Sequence, residues 1–541
     1  MIMSKTKQSI IAGGLITTAG IFISKVISII YVVPFNAIIQ TTENLTYYGT
    51  AYNIYSYVLN ISISGFPFAV ATMVSKYMMR GDYRTSLLVK RLASRLMIVV
   101  GAVTTLFLLL TSGIFAKLVV GPEYVTTMRN VLIVLSFALF FVAILSSMRG
   151  FYQGLNEMDI YAANQILEQI SRVVFLLGMS ALAVYVFHQE RIWAVYFGVI
   201  STTVAAIFAI IQFAHRDKTR IPELEKLAVE QTAASNEDKR ELIREMILIA
   251  VPYLLSAVLG YSDMIINTFF LPSGLGAFGM TSKEIMNITG PVYANINKLL
   301  SIPMVLAPGF SIAIIPYITR SLAAHDDRGV RKHISDCLDS VLYLALPISF
   351  CLFVFAKPIY YVMFGSTNLD LNAHLLSWFA LEGFFSTVLP VINSLMMAGG
   401  LRKKNLQSLG VYTIVKLSIT YILLAKFGFP GAVLSSVAAM LVCLLINAYH
   451  LSTRFHVRWM YTVRKFVLML IGVLGIWAVA WGLQFIGFRP YTAGRIIGLI
   501  ELGISGLLAI AVYLGITWCF QLPQTIFHIG RKERNITYDE N

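Results

Sequence analysis

Charge is scarce in this sequence. Only 13% of its 541 residues are charged, whereas 57% are hydrophobic; a soluble chain carries about a quarter charged residues. Acidic residues are the scarcer sign, 27 against 42 basic, for a net charge of +15. Cysteine is limited to Cys337, Cys351, Cys443 and Cys519, none at metal or redox spacing, which excludes a disulfide scaffold or a cysteine zinc site. The eight histidines are scattered, with no zinc-ligand spacing. No G-x-x-x-x-G-K-[ST] loop occurs, which argues against a self-contained ATP-driven pump. No acidic loop offers magnesium to a prenyl-phosphate transferase, and no catalytic constellation emerges. We read the chain as a non-enzyme that needs no cofactor.

What is abundant is apolar sequence in runs of about 20 residues, each long enough to cross a bilayer. About fourteen such runs succeed one another, near 9–34, 48–75, 93–118, 129–149, 162–186, 192–214, 243–270, 293–318, 337–362, 374–399, 408–425, 431–452, 464–486 and 496–520. The expected fold is therefore all-α, a polytopic integral membrane protein. The first run is too long for a signal-peptide core and has no small-residue cleavage site. Lys and Arg gather in the loops after even-numbered spans: Lys76, Arg80, Arg84, Lys90 and Arg91; Arg216, Lys218 and Arg220; Arg320, Arg328 and Arg331; Arg402, Lys403 and Lys404. The positive-inside rule then places both termini in the cytoplasm. It also accounts for the net charge without nucleic acid as a partner.

Residues 215–242 form the longest polar stretch and fall after the sixth span, so they read as a linker between two halves. Spans 2 and 8 correspond. Span 2 carries Gly65 and Pro67; span 8 carries Pro303 and Pro308; both end in a basic-acidic turn. Proline inside a span frees a backbone carbonyl and bends the helix, and matching breaks in two halves point to a substrate site between them. The expected organisation is an N-lobe over 1–214, the linker over 215–242, a C-lobe over 243–453, two further spans over 454–521, and a cytoplasmic tail over 522–541.

Ionisable residues inside spans are costly and mark function or pairing. Glu168 and Arg172 stand four apart on one helix and read as a structural ion pair. Asp263 and Lys416 are placed to face one another in the second half, a candidate ion-coupling position. Glu382 and Glu501 have no local partner in sequence. Lys25 and Lys298 come from different halves; facing one cavity, they would suit a phosphate or pyrophosphate.

Two segments resemble a known family. Met148-Arg149-Gly150-Phe151-Tyr152-Gln153-Gly154, followed by Asn164-Gln165-Ile166-Leu167-Glu168-Gln169-Ile170-Ser171-Arg172, is similar to the span 4–5 signature of polysaccharide-biosynthesis flippases. Val415-Lys416-Leu417 with Phe427-Gly428-Phe429-Pro430-Gly431-Ala432 resembles their span 11–12 signature. The group is the multidrug/oligosaccharidyl-lipid/polysaccharide exporter superfamily, in its Gram-positive MurJ and SpoVB-like branch. The resemblance implies two six-helix lobes in a V around a cationic cavity, with the last two spans forming a groove for a polyprenyl tail. It implies a lipid II flippase of the bacterial plasma membrane, whose partners are a lipid-linked oligosaccharide, membrane lipids and the cell-wall synthesis machinery. By motif position Lys298 and Lys25 match basic positions that meet the pyrophosphate, and Arg149 contributes near the cytoplasmic mouth. Further basic residues of that pattern in spans 1 and 2 have no counterpart here. The family also suggests sodium or the membrane potential as the energy source. Rival readings are a flippase for a capsule, teichoic or O-antigen-like unit, a multidrug exporter, and a membrane glycosyltransferase.

Overall fold

The structure, a computed structural model, describes residues 23–24, 26–235, 238–492 and 494–527, without the side chains at 306–308, 310–313 and 316. Among these residues it is helical throughout, without strands, and twelve helices are long and apolar enough to span a membrane. The multi-pass helical class expected from the apolar runs is what the chain adopts.

Two of the fourteen expected spans fall outside those twelve, for different reasons. The first lies mostly on undescribed residues, and only its end is seen, as α1 (Val26–Ile39). The eighth is interrupted. It begins as α10 (Ser282–Gly290), passes through a wide π turn at Pro291–Ile296, continues as α11 (Asn297–Met304), and resumes as α12 (Leu306–Ala323).

The second span is likewise two helices, α2 (Thr42–Ile63) and α3 (Phe66–Met79). Pro67 sits in the first turn of α3, where a missing N–H costs nothing. The break itself is made by Gly65, at φ +87°. A Cβ there would also lie 2.5 Å from the Ala250 carbonyl oxygen. Only glycine satisfies both the left-handed backbone and the close approach.

The other helices that position the site are α4 (Tyr83–Val119), α5 (Val125–Gly154), α6 (Met158–Ala181), α7 (Ile192–Glu230), α8 (Lys239–Gly260), α9 (Ser262–Ala277) and the pair α16 (Arg402–Phe427) and α17 (Phe429–Phe455). Between them run α13 (Asp327–Val354), α14 (Ala356–Phe364) and α15 (Leu369–Ala398); α18 (Trp459–Phe485), α19 (Arg495–Cys519) and the short α20 (Leu522–Ile526) follow.

The polar stretch expected as a linker is helical as far as Glu230, because it continues α7 and has its own packing stripe. Leu224 and Ala228 are buried against α4 and α5. Lys90 pairs with Asp217 at 2.6 Å, and Arg220 with Glu157 at 2.6 Å. Burial holds the Glu157 carboxyl above its ordinary range despite that arginine. Among the described residues of this stretch, those outside helices are residues 231–235 and Asp238.

The chain forms two compact units, one of residues up to Leu299 with Leu409–Ser436, the other of Leu300–Ser408 with Val437 onward. The first is cored by Val70, Met73, Val74, Phe151, Tyr152, Phe213 and Met246. One of its close seams is α3 on α5. A Cβ on Gly150 would lie 2.6 Å from the Pro67 carbonyl oxygen, and one on Gly154 would lie 2.7 Å from Val74 Cβ. The two glycines of the Gly150–Gly154 motif thus form a small-x-x-x-small contact, which lets helices approach where no hydrophobic effect drives them together. The second unit is cored by Val341, Tyr343, Leu395, Met396, Ile476 and Tyr513. In it Tyr513 donates to the Tyr343 carbonyl at 3.0 Å, and Lys465 pairs with Asp339 at 2.5 Å. The exposed Leu474, Trp477, Trp481, Ile500 and Leu507 give α18 and α19 an apolar outer face suited to lipid.

Candidate functional site

The first unit contains two ionic clusters at membrane depth. The first is built on α2, α5 and α6. The 3.6-residue period puts Tyr48, Tyr52 and Tyr55 on one face of α2. Their rings follow one another at 4.8 and 5.9 Å, with Phe35 4.9 Å from Tyr48 at one end. Tyr48 OH meets Tyr31 OH at 3.2 Å, and Tyr52 OH contacts the Thr202 hydroxyl of α7. Gly198 makes room for this face, since a Cβ there would strike Phe35 and Tyr48 at 2.8 and 3.1 Å.

Arg172 of α6 lies within electrostatic reach of Tyr31, Tyr52 and Tyr55. Its Nη2 holds Glu168 Oε1 at 2.6 Å, the i,i+4 pair expected from sequence. Glu168 is shared, however. Arg149 of α5 reaches its other oxygen, Oε2, at 2.5 Å and also donates to Asn164 Oδ1 at 3.1 and 3.2 Å. Two guanidiniums therefore divide one carboxylate. Arg172 Nε is buried and makes no hydrogen bond among the described residues. Lys298, half-buried on α11 just after the π turn, lies within electrostatic reach of both Tyr52 and Arg172. The ion-paired core of this cluster is positive in sum, Arg149 and Arg172 to the single carboxylate of Glu168.

The second cluster joins α9, α16 and α17. Lys416 is 0% exposed. Its ammonium pairs with Asp263 Oδ1 at 3.0 Å and donates to Ser435 Oγ at 3.0 Å, Ser436 Oγ at 2.5 Å and the Ala432 carbonyl at 3.3 Å. Asn267 Nδ2 supports the other carboxylate oxygen at 3.0 Å. One helical turn away Ser262 and Thr413 hydroxyls meet at 2.9 Å. This cluster is neutral in sum and its lysine is sealed from solvent, while the Asp263 side chain is 13% exposed.

The sequence-read residues fall out as follows. Lys298 and Arg172 belong to one cluster, a juxtaposition that the sequence reading did not make. Arg149 joins the same cluster through Glu168. Asp263 and Lys416 face one another as expected. Lys25 lies outside the described residues, as does the side chain of Pro308. Gly65 and Pro67 form the α2–α3 junction, and Pro303 lies buried near the end of α11. The tyrosine face was missed, although the spacing of Tyr48, Tyr52 and Tyr55 was a readable signal. Among the described residues no group of three His, Cys, Asp or Glu side chains could hold a metal.

A family model described as polysaccharide biosynthesis protein matches residues 10–322, and one described as MatE matches residues 292–422. The lipid II flippase MurJ of Bacillus subtilis (strain 168) is 27% identical over 524 residues, covering 94% of each chain. A solved structure of the lipid II flippase MurJ in an inward closed conformation superimposes with a TM-score of 0.63 at 14% identity, covering 95% of this chain and 100% of that one. An inward-facing multidrug resistance MATE family transporter of the MOP superfamily reaches the same TM-score of 0.63 at 15% identity, over 78% of this chain and 94% of that one. The fold is thus shared with both branches, while the sequence match covers more than half of the chain. The chain belongs to the polysaccharide biosynthesis protein family, built on the fold of the MOP superfamily transporters.

Proposed function

We propose that this protein is a flippase that carries lipid II, the undecaprenyl-pyrophosphate-linked peptidoglycan precursor, from the inner to the outer leaflet of the bacterial cell membrane, with both of its termini in the cytoplasm. The observation that carries this reading is the positive excess of the α2–α6 cluster, in which Arg149 and Arg172 share Glu168 and Lys298 stands close by. A charge at membrane depth is costly without a partner. A cluster with more cations than anions is stabilised by an anionic guest, and a pyrophosphate supplies several acceptor oxygens at once. Arg172 Nε presents one N–H to it, Lys298 a point charge, and the tyrosine face supplies hydroxyls and flat apolar surface for a sugar headgroup.

In this reading Lys25 joins Lys298 from the first span, and Arg149 orients Glu168 and so Arg172. The lobes of residues 1–214 and 243–453 alternate access, with the breaks at Gly65, Pro67, Pro303 and Pro308 lining the path, and residues 454–521 receive the polyprenyl tail. The work comes from a sodium gradient or from the membrane potential, which contributes about 2.3 kcal/mol per charge per 100 mV. The cell-wall synthesis machinery would take up the product. The family's description names polysaccharide synthesis in general, and pyrophosphate recognition serves any glycan on that carrier, so a capsule or teichoic unit is the second reading.

Reconstituted vesicles carrying labelled lipid II test the proposal. The expected result is leaflet exchange above protein-free vesicles. Exchange of another undecaprenyl-pyrophosphate glycan but not of lipid II selects the second reading. Exchange of neither, with a working control flippase, overturns both.

A further inference from the structure

The second cluster has the composition of a cation site already filled from within. Four oxygens lie 2.5 to 3.3 Å from Lys416 Nζ: a carboxylate (Asp263), two hydroxyls (Ser435 and Ser436) and a carbonyl (Ala432). An ammonium has only three N–H donors, so the oxygens form a shell around the charge. Such a hard-oxygen set is also what simple inorganic cations take. The hydroxyls are pre-oriented. Ser435 and Ser436 both donate to the Ala432 carbonyl, at 2.8 and 3.1 Å, which turns their lone pairs toward Nζ.

The walls are fixed independently of the lysine. Gly428 turns the chain at φ +66°, and a Cβ on Gly431 would lie 2.2 Å from the Leu423 carbonyl oxygen, so α16 and α17 meet in one tight hairpin. Asn267 anchors Asp263 from its own helix, and Ser262–Thr413 ties α9 to α16. The enclosure leaves Lys416 without solvent contact.

We infer that Lys416 is a tethered counter-ion, its ammonium occupying an oxygen cage between α9, α16 and α17 that takes a monovalent inorganic cation once the lysine is shortened. A cage filled by the chain's own side chain is occupied at every salt concentration. A cage filled from solution stabilises the fold only in proportion to RT ln(1 + [L]/Kd). The protein therefore holds this helix triad together without drawing on sodium or potassium. This holds whatever headgroup is carried, and its test reads stability rather than transport.

The experiment is thermal unfolding of the purified full chain in detergent, in sodium, potassium, lithium or choline chloride at equal ionic strength. The wild type should unfold at the same temperature in all four salts. Lys416→Ala should unfold at a lower temperature, and at least half of the loss should return, in a concentration-dependent way, with one of the alkali cations and not with choline. Asp263→Asn in the Lys416→Ala background should abolish that recovery. Wild-type protein stabilised by an alkali cation over choline overturns the inference, and so does a folded Lys416→Ala indifferent to all four salts. Should Lys416→Ala fail to fold, the wild-type comparison still decides, together with Lys416→Met, which keeps the volume without the charge. Lys416→Met as stable as the wild type overturns the inference.

Discussion

The two ionic clusters of the first unit both draw on membrane-spanning helices and differ in almost everything else. Around Lys416 one cation meets one carboxylate, every N–H of the ammonium has an acceptor, and the lysine is sealed from solvent. Around Arg172 two guanidiniums share Glu168, and the side chains of Arg149, Glu168 and Arg172 remain 17%, 14% and 22% exposed, against 0% for Lys416 and 13% for Asp263. A neutral network whose cation is fully paired and buried has no excess charge to offer a ligand. One with two cations to a single carboxylate has charge to spare for an anion. Under the proposed function, the difference separates a charge retained for architecture from charges retained for a guest, although composition makes both look like stray ions in a membrane.

Four substitutions test that contrast, from the largest effect to the smallest. Lys298→Glu strikes the open cluster. It should abolish leaflet exchange and complementation of a flippase-depleted strain, by a hundredfold or more in rate, while the midpoint of thermal unfolding moves little; Lys298→Arg should retain activity. Full complementation by Lys298→Glu would erase the contrast. Asp263→Leu strikes the sealed cluster and should cost about 3–5 kcal/mol, since it strands a buried ammonium. Pairing it with Lys416→Met should return most of that loss in chemical denaturation, because an apolar pair can replace a buried ion pair at little cost. Glu168→Gln should remove about 1.5–3 kcal/mol from charge-assisted hydrogen bonds to Arg149 and Arg172. It also raises the cluster's positive excess, so binding of a soluble pyrophosphate measured by calorimetry should tighten at low ionic strength and relax as salt is added. Ser436→Ala removes one acceptor from a shell of four and should cost about 1 kcal/mol, with exchange unchanged.

Much of this was readable before any coordinates. Run length gave the spans, because a helix of about 20 apolar residues crosses the bilayer with its backbone hydrogen bonds closed within the segment. The Glu168–Arg172 pair followed from one helical turn, a local rule. Asp263 with Lys416 was legible only as an acidic and a basic residue within spans of one half. The rest required packing between helices. Arg149's claim on Glu168 depends on α5 lying beside α6, and Lys298 comes within electrostatic reach of Arg172 from a helix far away in sequence. The tyrosine face was hidden for the opposite reason: its period was visible, but tyrosines in a span are usually read as interfacial anchors. The polar stretch after the sixth span misled because its charge content masked a stripe of only two buried residues, Leu224 and Ala228.

That stretch has a practical consequence. α7 is 39 residues long, about 58 Å at 1.5 Å per residue, against a hydrocarbon layer of about 30 Å. Roughly half of the rod stands clear of the lipid, and Lys90–Asp217, Arg220–Glu157 and the Arg84–Ala228 hydrogen bond at 2.8 Å brace it. A small rigid protein spliced in after Gln231 would inherit the direction of that rod. For a chain of 60.2 kDa with little mass outside the micelle, it would serve as a fiducial for aligning single-particle images.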